Sequence, residues 1–497
     1  MFLLGYDVGS SSIKATLLDA ETGMVIASAV SPEKELEIIA KQPGWAEQHP
    51  DTWWINVCAA TGKIMSKSRI NPHEIKALGI SYQMHGLVIV DKNHQVLRPS
   101  IIWCDSRAVE TGERAFREIG QETCFGHLLN TPGNFTASKL AWVREHEPDI
   151  YMKIHKAMLP GDYIAMKMSG DIVTTPSGLS EGILWDYRNQ SLADIVLDYY
   201  DISPWLIPKI MPTFSIQGEM TIRAARELGL RPGIKIAYRA GDQPNNALSL
   251  NVLNPGEIAA TAGTSGVIYG VTDRANYDPK SRVNPFVHVT HTPDNPRYGV
   301  LLCVNGTGIF NRWLKHNCGT GDMTYEKMNE SAMDIPAGSE GLVIIPYGNG
   351  SERTLENRDT GASIHGLQFN IHDRRHVLRA AQEGIVFAFN YGLGIMREMD
   401  VEVNLVRAGD TNMFLSPLFR EVFATVTGAT VELFNTDGSQ GAARGAGIGA
   451  GIYRTTEDAF VGLKTTQVVE PRKEQVSVYK EAYERWYEIL KTYIQGR

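Results

Sequence analysis

The segment Phe2–Asp19, FLLGYDVGSSSIKATLLD, reads as two short strands around a turn. Residues 2–8 are an apolar strand with an acid, Asp7, near its end. Gly9, Ser10, Ser11 and Ser12 form a tight small-residue turn, and Ile13–Asp19 returns as the second strand. The exposed N–H groups of such a turn can line an anion-binding concavity. The carboxylate cannot bind phosphate itself, but it can hold Mg²⁺, usually through water. The pattern therefore suits a metal-bound polyphosphate. Any β-hairpin can also carry Gly and Ser in its turn, so the motif alone leaves ordinary turn chemistry open.

Working outward, Met24–Val30 extends the hairpin into a meander. Pro50-Asp51-Thr52-Trp53-Trp54 opens a helix expected to run to about Ser66, with Asp51 as its cap. Ile75–Ser81 and Leu87–Val90 read as further strands, and this alternation predicts the α/β class. The theme restarts far along the chain. Gly233–Tyr238 is a strand ending near Gly241-Asp242. Glu257–Ala262 leads into Gly263-Thr264-Ser265-Gly266 and then Val267–Val271, again strand, turn and strand. The echo predicts a duplicated domain with a cleft between the halves.

The chain has 497 residues, of which 43% are hydrophobic, too many for one core. Two large domains are expected, cut at 1–245 and 246–497. Charge is mixed, 48 Lys+Arg against 56 Asp+Glu, and no basic block points to nucleic acid or an anionic membrane. Cys58, Cys104, Cys124, Cys303 and Cys318 are scattered without CxxC spacing, which argues against a zinc module or a disulfide scaffold. No basic segment precedes a signal-type apolar core and no apolar run is long enough to span a bilayer, so a cytoplasmic home is expected.

Three small-residue turns could cradle a nucleotide: Gly9–Ser12, Gly263–Gly266 and Ala408–Asn412. No G-x-x-x-x-G-K-[ST] occurs, which excludes a P-loop NTPase, and the protein-kinase H-R-D and D-F-G set is missing. Gly445–Ala450 formally matches a dinucleotide fingerprint. It follows a polar Asn435-Thr436-Asp437 turn with only the short run Thr430–Phe434 before it and no clear second strand after it, and Gly438–Tyr453 reads instead as a helix with a small-residue face packed on a sheet. Asp242 lies at a strand end. It could accept a proton during phosphoryl transfer or cap the helix that starts at Pro244, and the residues leave both open. Gln83-Met84-His85-Gly86 follows a buried strand and suits sugar hydroxyls, although a lone His is more often structural. His288 and His291, three apart on an expected strand, face opposite sides and are rejected as a metal pair.

Taken together, these residues resemble the FGGY carbohydrate kinases. Asp7–Lys14 is similar to the family's first phosphate motif, and Gly44–Trp54, GWAEQHPDTWW, to its G-W-x-E-Q-x-P-x-x-W-W stretch. Phe135–Val143 resembles one family signature. Ile364–Leu367 through His376–Glu383 resembles the other, with Gln382 in place of the usual apolar residue. Gln83–Gly86, Trp103–Arg107 and Lys139–Tyr151 are most similar to the family's xylulose kinases. The Arg-Glu pair expected of glycerol kinases is absent.

The resemblance implies two actin/Hsp70-like (ribonuclease H-like) domains with an inter-domain catalytic cleft. It implies transfer of the ATP γ-phosphate to a ketopentose, D-xylulose first, with another ketose or a polyol as alternative. An actin-like ATP-switched binding or filament protein is the alternative of another class, and the sugar-side residues count against it. Asp242 would take the sugar hydroxyl proton. Gln83, Met84, His85, Trp103, Asp105 and Gln243 would lie on the sugar side. Gly9, Ser10, Ser11, Ser12, Lys14, Gly263, Thr264, Gly308, Gly409 and Asn412 would surround ATP, and Asp7 would help hold Mg²⁺. A homodimer is compatible with the resemblance. Two departures stand out: Gln243 replaces the usual Asn after the catalytic acid, and Gly409–Ser416 departs from the usual G-G-G-A-x-S loop.

Overall fold

β1 (Phe2–Val8) is buried along most of its length because it sits inside a mixed sheet covered by helices. It pairs antiparallel with β2 (Ile13–Asp19), which pairs antiparallel with β3 (Val25–Ser31). On its other side β1 pairs parallel with β4 (Ile75–Tyr82). A parallel pair needs a crossover, and α1 (Pro50–Ser68) lies between β3 and β4 in the chain. β5 (Phe214–Glu219) and β6 (Lys235–Gly241) complete the six-stranded order β5-β6-β4-β1-β2-β3, with β6 parallel to β4. The computed structural model describes residues 1–319 and 323–495.

The cap of helix α1 lies two residues before the expected Asp51. His49 is the cap, its ring accepting the Asp51 N–H, and Pro50 takes the first helical position, where its missing N–H costs nothing. Asp51 falls in the first turn and instead accepts the Tyr163 hydroxyl at 2.6 Å.

A second sheet repeats the plan. β7 (Glu257–Ala262) pairs antiparallel with β8 (Gly266–Thr272) and parallel with β11 (Leu405–Gly409), which is parallel to β12 (Thr430–Phe434). With β9 (Asn284–Val287), β10 (Tyr298–Val304) and β13 (Thr465–Val469) the order is β9-β10-β8-β7-β11-β12-β13. The β7–β8 hairpin thus occupies in its sheet the place that β1–β2 occupies in the first.

The chain divides into two compact units, but not by one cut. The first unit holds Met1–Asn251, Phe286–Tyr298 and Thr436–Leu463; the second holds Val252–Pro285, Gly299–Asn435 and Lys464–Arg497. Thr436–Leu463 belongs with the first unit because its helix, Gly438–Gly449, lies directly on the first sheet. This is the small-residue helix expected of that stretch. A Cβ on Gly5 would lie 1.9 Å from the Ser439 carbonyl oxygen, and one on Gly79 would lie 2.1 Å from that of Ala442. Helix and sheet therefore touch backbone to backbone. His288 and His291 lie in a turn after β9, the His291 N–H donating to the His288 carbonyl, rather than along a strand. Among the described residues no helix is long and apolar enough to cross a membrane.

Gly79→Ala should lower the urea unfolding midpoint, with a cost of about 1–3 kcal/mol for forcing the helix outward. Gly62→Ala, in α1 with nothing within 4 Å of the added Cβ, should gain about 0.5–1 kcal/mol. Equal midpoints for the two variants would contradict the close helix–sheet contact.

Candidate active site

Strand parity positions the first acid. Leu4, Tyr6 and Val8 share one core with Trp53 and Val57 of α1, whereas Leu3 packs with Ala443 and Ala446 of the helix at 438–449. Gly5 and Asp7, two and four residues beyond Leu3, share its face. In β4 the same alternation turns Ser81 toward Asp7. The two are register partners, and the Ser81 hydroxyl donates to Asp7 Oδ1 at 3.0 Å.

The helix N-terminus completes this corner. Asp437 is its cap, accepting the Gln440 N–H at 3.0 Å and the Ser439 hydroxyl at 2.8 Å. A Cβ on Gly438 would fall 2.8 Å from Asp7 Oδ2, so only glycine fits there. The helix Asp242–Ser249 braces the same corner. Asn245 Nδ2 donates to the Gly438 carbonyl and the Ser249 hydroxyl to the Asp437 carbonyl, each at 2.8 Å. Asp242 is the first residue of this helix, with Gly241 in the cap position. The capping alternative for Asp242 is thereby set aside.

Asp7 and Asp242 both keep partly accessible surface although protein strips most water from their carboxylates. Burial, then the neighbouring Asp7 charge, pushes Asp242 up to about 7. Burial also raises Asp7, with Lys14 opposing and Asp437 adding to the rise. Hard oxygen donors crowded this way suit a divalent cation. Among the described residues no three His, Cys, Asp or Glu side chains converge as a group that could hold a metal ion by themselves. The adjoining turn is closed by Gly9 N–H to Ser12 O at 3.1 Å, and Trp103 Nε1 donates to Ser10 Oγ at 3.3 Å.

Met84 and His85 follow β4. His85 sits at φ 61°, a left-handed conformation that needs support. Its N–H donates to Glu181 Oε2 at 3.0 Å, and its Nδ1 lies 2.8 Å from the Glu181 carbonyl. The ring packs edge-on to Phe135 at 4.8 Å. Lys139, fully buried, donates to the His85 and Ile102 carbonyls at 2.9 and 3.0 Å. Burial pulls it down to about 7. Lys139 thus ties the Met84–His85 turn to the Trp103 segment. Gln83 is buried, its amide 3.4 Å from Gln48 Oε1 and its own Oε1 without a hydrogen-bond partner among the described residues. Gln243 is the second residue of its helix, and its N–H favours the Asp242 anion.

Asp105 was expected on the sugar side. It is fully buried, with both oxygens taken by Arg107 and one also by the Ala46 N–H. It braces the segment rather than offering an oxygen to a ligand.

The second unit assembles its own cluster. The Gly308 N–H donates to the Gly263 carbonyl at 2.8 Å, and the Ile309 N–H to that of Thr264 at 3.1 Å. The Thr307 hydroxyl also donates to Gly263 O at 3.0 Å. A Cβ on Gly263 would lie 3.7 Å from Asn412 Nδ2. Gly409 ends β11 beside the Asp410–Asn412 turn, where Asn412 has φ 55°. Gly263, Thr264, Gly308 and Asn412 are thus neighbours.

Sequence reasoning missed Asp437, Gly438, Ser81, Lys139 and Glu181. Only Asp437 carried a local signal, an acid before a small-residue helix, and nothing local linked it to Asp7.

The model for the FGGY family of carbohydrate kinases matches its N-terminal domain to residues 2–249 and its C-terminal domain to residues 258–452. A xylulose kinase of Bacillus subtilis (strain 168) is 28% identical over 500 residues, covering 98% of this chain and 96% of the relative. The crystal structure of xylulose kinase from Rhodospirillum rubrum superposes with a TM-score of 0.88 at 25% identity, covering 99% of each chain. That of gluconate kinase from Lactobacillus acidophilus gives 0.90 at 22% identity, covering 100% of this chain and 98% of the other. The two mixed sheets are those of the actin-like sugar-kinase fold. The chain belongs to the FGGY family of carbohydrate kinases.

Proposed function

We propose that this carbohydrate kinase phosphorylates a ketopentose, D-xylulose first among them, at the expense of ATP. The observation that carries the reading is the placement of a desolvated acid, Asp242, near the braced Met84–His85 turn, with Glu181 beside both. The full-length similarity to relatives called xylulose kinases supports the choice of acceptor.

In this reading a sugar hydroxyl attacks the γ-phosphorus, the bond from that phosphorus to the bridging oxygen of ADP breaks, and Asp242 takes the hydroxyl proton. Met84, His85 and Gln243 orient the acceptor, while Gln83 and Trp103 border it. Gly9, Ser10, Ser11, Ser12 and Lys14 offer N–H, hydroxyl and ammonium groups to the phosphates. Gly263, Thr264, Gly308, Gly409 and Asn412 are the second unit's nucleotide contacts. Asp7, with Asp437 behind it, is the acid set for Mg²⁺, which when bound offsets phosphate charge. A second reading keeps the kinase and changes the acceptor to another ketose or a polyol. Gln243 favours it, because a longer amide beside Asp242 reshapes the polar pocket.

An ADP-release assay across pentoses, hexoses and polyols should give the highest kcat/KM with D-xylulose, and a clear preference for another acceptor would overturn the substrate assignment. Asp242→Ala should lower kcat by at least about 10²-fold with the fold intact, the low end of general-base contributions; near-wild-type turnover would sink the proton-acceptor role. The pH profile carries a third expectation. Burial and the Asp7 charge disfavour the Asp242 anion, so the base form fills only as pH rises past its raised value. The acceptor kcat/KM should therefore climb to a plateau with a midpoint of about 7, reporting the Asp242–Asp7 pair together. A midpoint in the ordinary carboxylate range, about 4, would contradict it.

A further inference from the structure

Glu181 is the last residue of the short helix Pro176–Glu181, held in place from several sides. The Thr175 hydroxyl oxygen caps this helix by accepting the Gly178 N–H at 3.1 Å, and the Ala137 N–H donates to the Gly182 carbonyl at 3.0 Å. The Glu181 side chain is 2% exposed. One oxygen, Oε2, accepts the His85 N–H. The other, Oε1, makes no hydrogen bond among the described residues. It would lie 3.1 Å from a Cβ on Gly241, the residue immediately before Asp242, and Met84 Cγ lies 2.6 Å from that same point. The Tyr82 hydroxyl lies beside the acid and favours its anion, but among the described residues it completes no hydrogen bond of ordinary geometry. An unpaired buried carboxyl oxygen is costly. This one sits among Met84, His85 and the Asp242 strand end, where the proposed reaction needs its acceptor.

We infer that Glu181 is a substrate-recognition residue whose Oε1 hydrogen-bonds a hydroxyl of the sugar other than the one phosphorylated. The inference rests on the kinase reading above and adds a specificity group to it. Burial, joined by the charges of Asp242 and Asp162, holds Glu181 well above the usual carboxylate range. A carboxyl accepts from a polyhydroxyl ligand, and in its protonated form also donates to one. The competing role is purely structural, in which Glu181 only supports the left-handed His85 turn.

The two roles separate in a cycle of enzyme and substrate changes. KM and kcat are measured for the best acceptor and for its series of singly deoxygenated analogues, with the wild-type chain and Glu181→Ala. Glu181→Met, which fills the volume without a polar atom, supplies the same comparison if the alanine chain does not fold. One analogue should lose roughly 10- to 100-fold in kcat/KM with the wild type, mostly through KM, the range for leaving a buried polar group without its partner. That loss should shrink to within a few-fold in the variant, while the other analogues keep their losses. Losses that are the same in both chains for every analogue would overturn the inference and leave Glu181 as a brace for His85. A wild-type chain indifferent to every single deoxygenation would overturn it with no variant needed. If no sugar or polyol is phosphorylated at all, the kinase reading itself falls, a result distinct from additive losses.

Discussion

Helix and sheet in the first unit meet without side chains between them, at Gly5 and Gly79, and much of the site depends on that distance. A methyl group at either glycine would overlap a helix carbonyl oxygen, so the axis of the Gly438–Gly449 helix is set by backbone contact. That contact brings the helix N-terminus to the end of β1, where Gly438 lies against Asp7 and Asp437 adds its charge. Strand parity does the rest. Because Gly5 faces the helix, so does Asp7, and because Gly79 faces it, so does Ser81. Packing and chemistry use the same face of the same strands.

Crowding acids has a consequence for each of them. Asp242 gains a value of about 7 from burial and from Asp7, and Glu181 is raised by burial first and Asp242 among its neighbours. Both shifts disfavour the ionised form, through lost hydration first and like charge second. The acceptor side is stiffened differently. Lys139 and Glu181 hold a single left-handed residue, His85, from its carbonyl and its N–H, so the turn costs conformational strain that two buried groups offset.

Duplication explains why one hairpin could be found twice. β1–β2 and β7–β8 occupy equivalent places in sheets of like pairing, each with two parallel strands on the far side. The turn of the first carries the serines and stands beside acids. The turn of the second is held by the Gly308 and Thr307 donors and stands beside Asn412.

Local pattern was enough to read the strands at 2–8, 13–19 and 257–262 and the small-residue character of the 438–449 helix, because periodicity and turn residues act over a few positions. It also singled out Asp7, the serine turn, the Met84–His85 pair and Asp242 as candidates for chemistry. It misplaced the α1 cap by preferring an acid to a histidine, and it put Asp105 on the sugar side when Arg107 and the Ala46 N–H occupy its carboxylate. Asp437, Ser81, Lys139 and Glu181 were beyond it. Each acquires its place from contact with residues far away in the chain, and one-dimensional spacing holds no record of such contacts. What the sequence by itself determined was the set of local elements and the acids at strand ends. Only the tertiary structure decided which acids share a neighbourhood, since that follows from strand register, face parity and the closeness that two glycines permit.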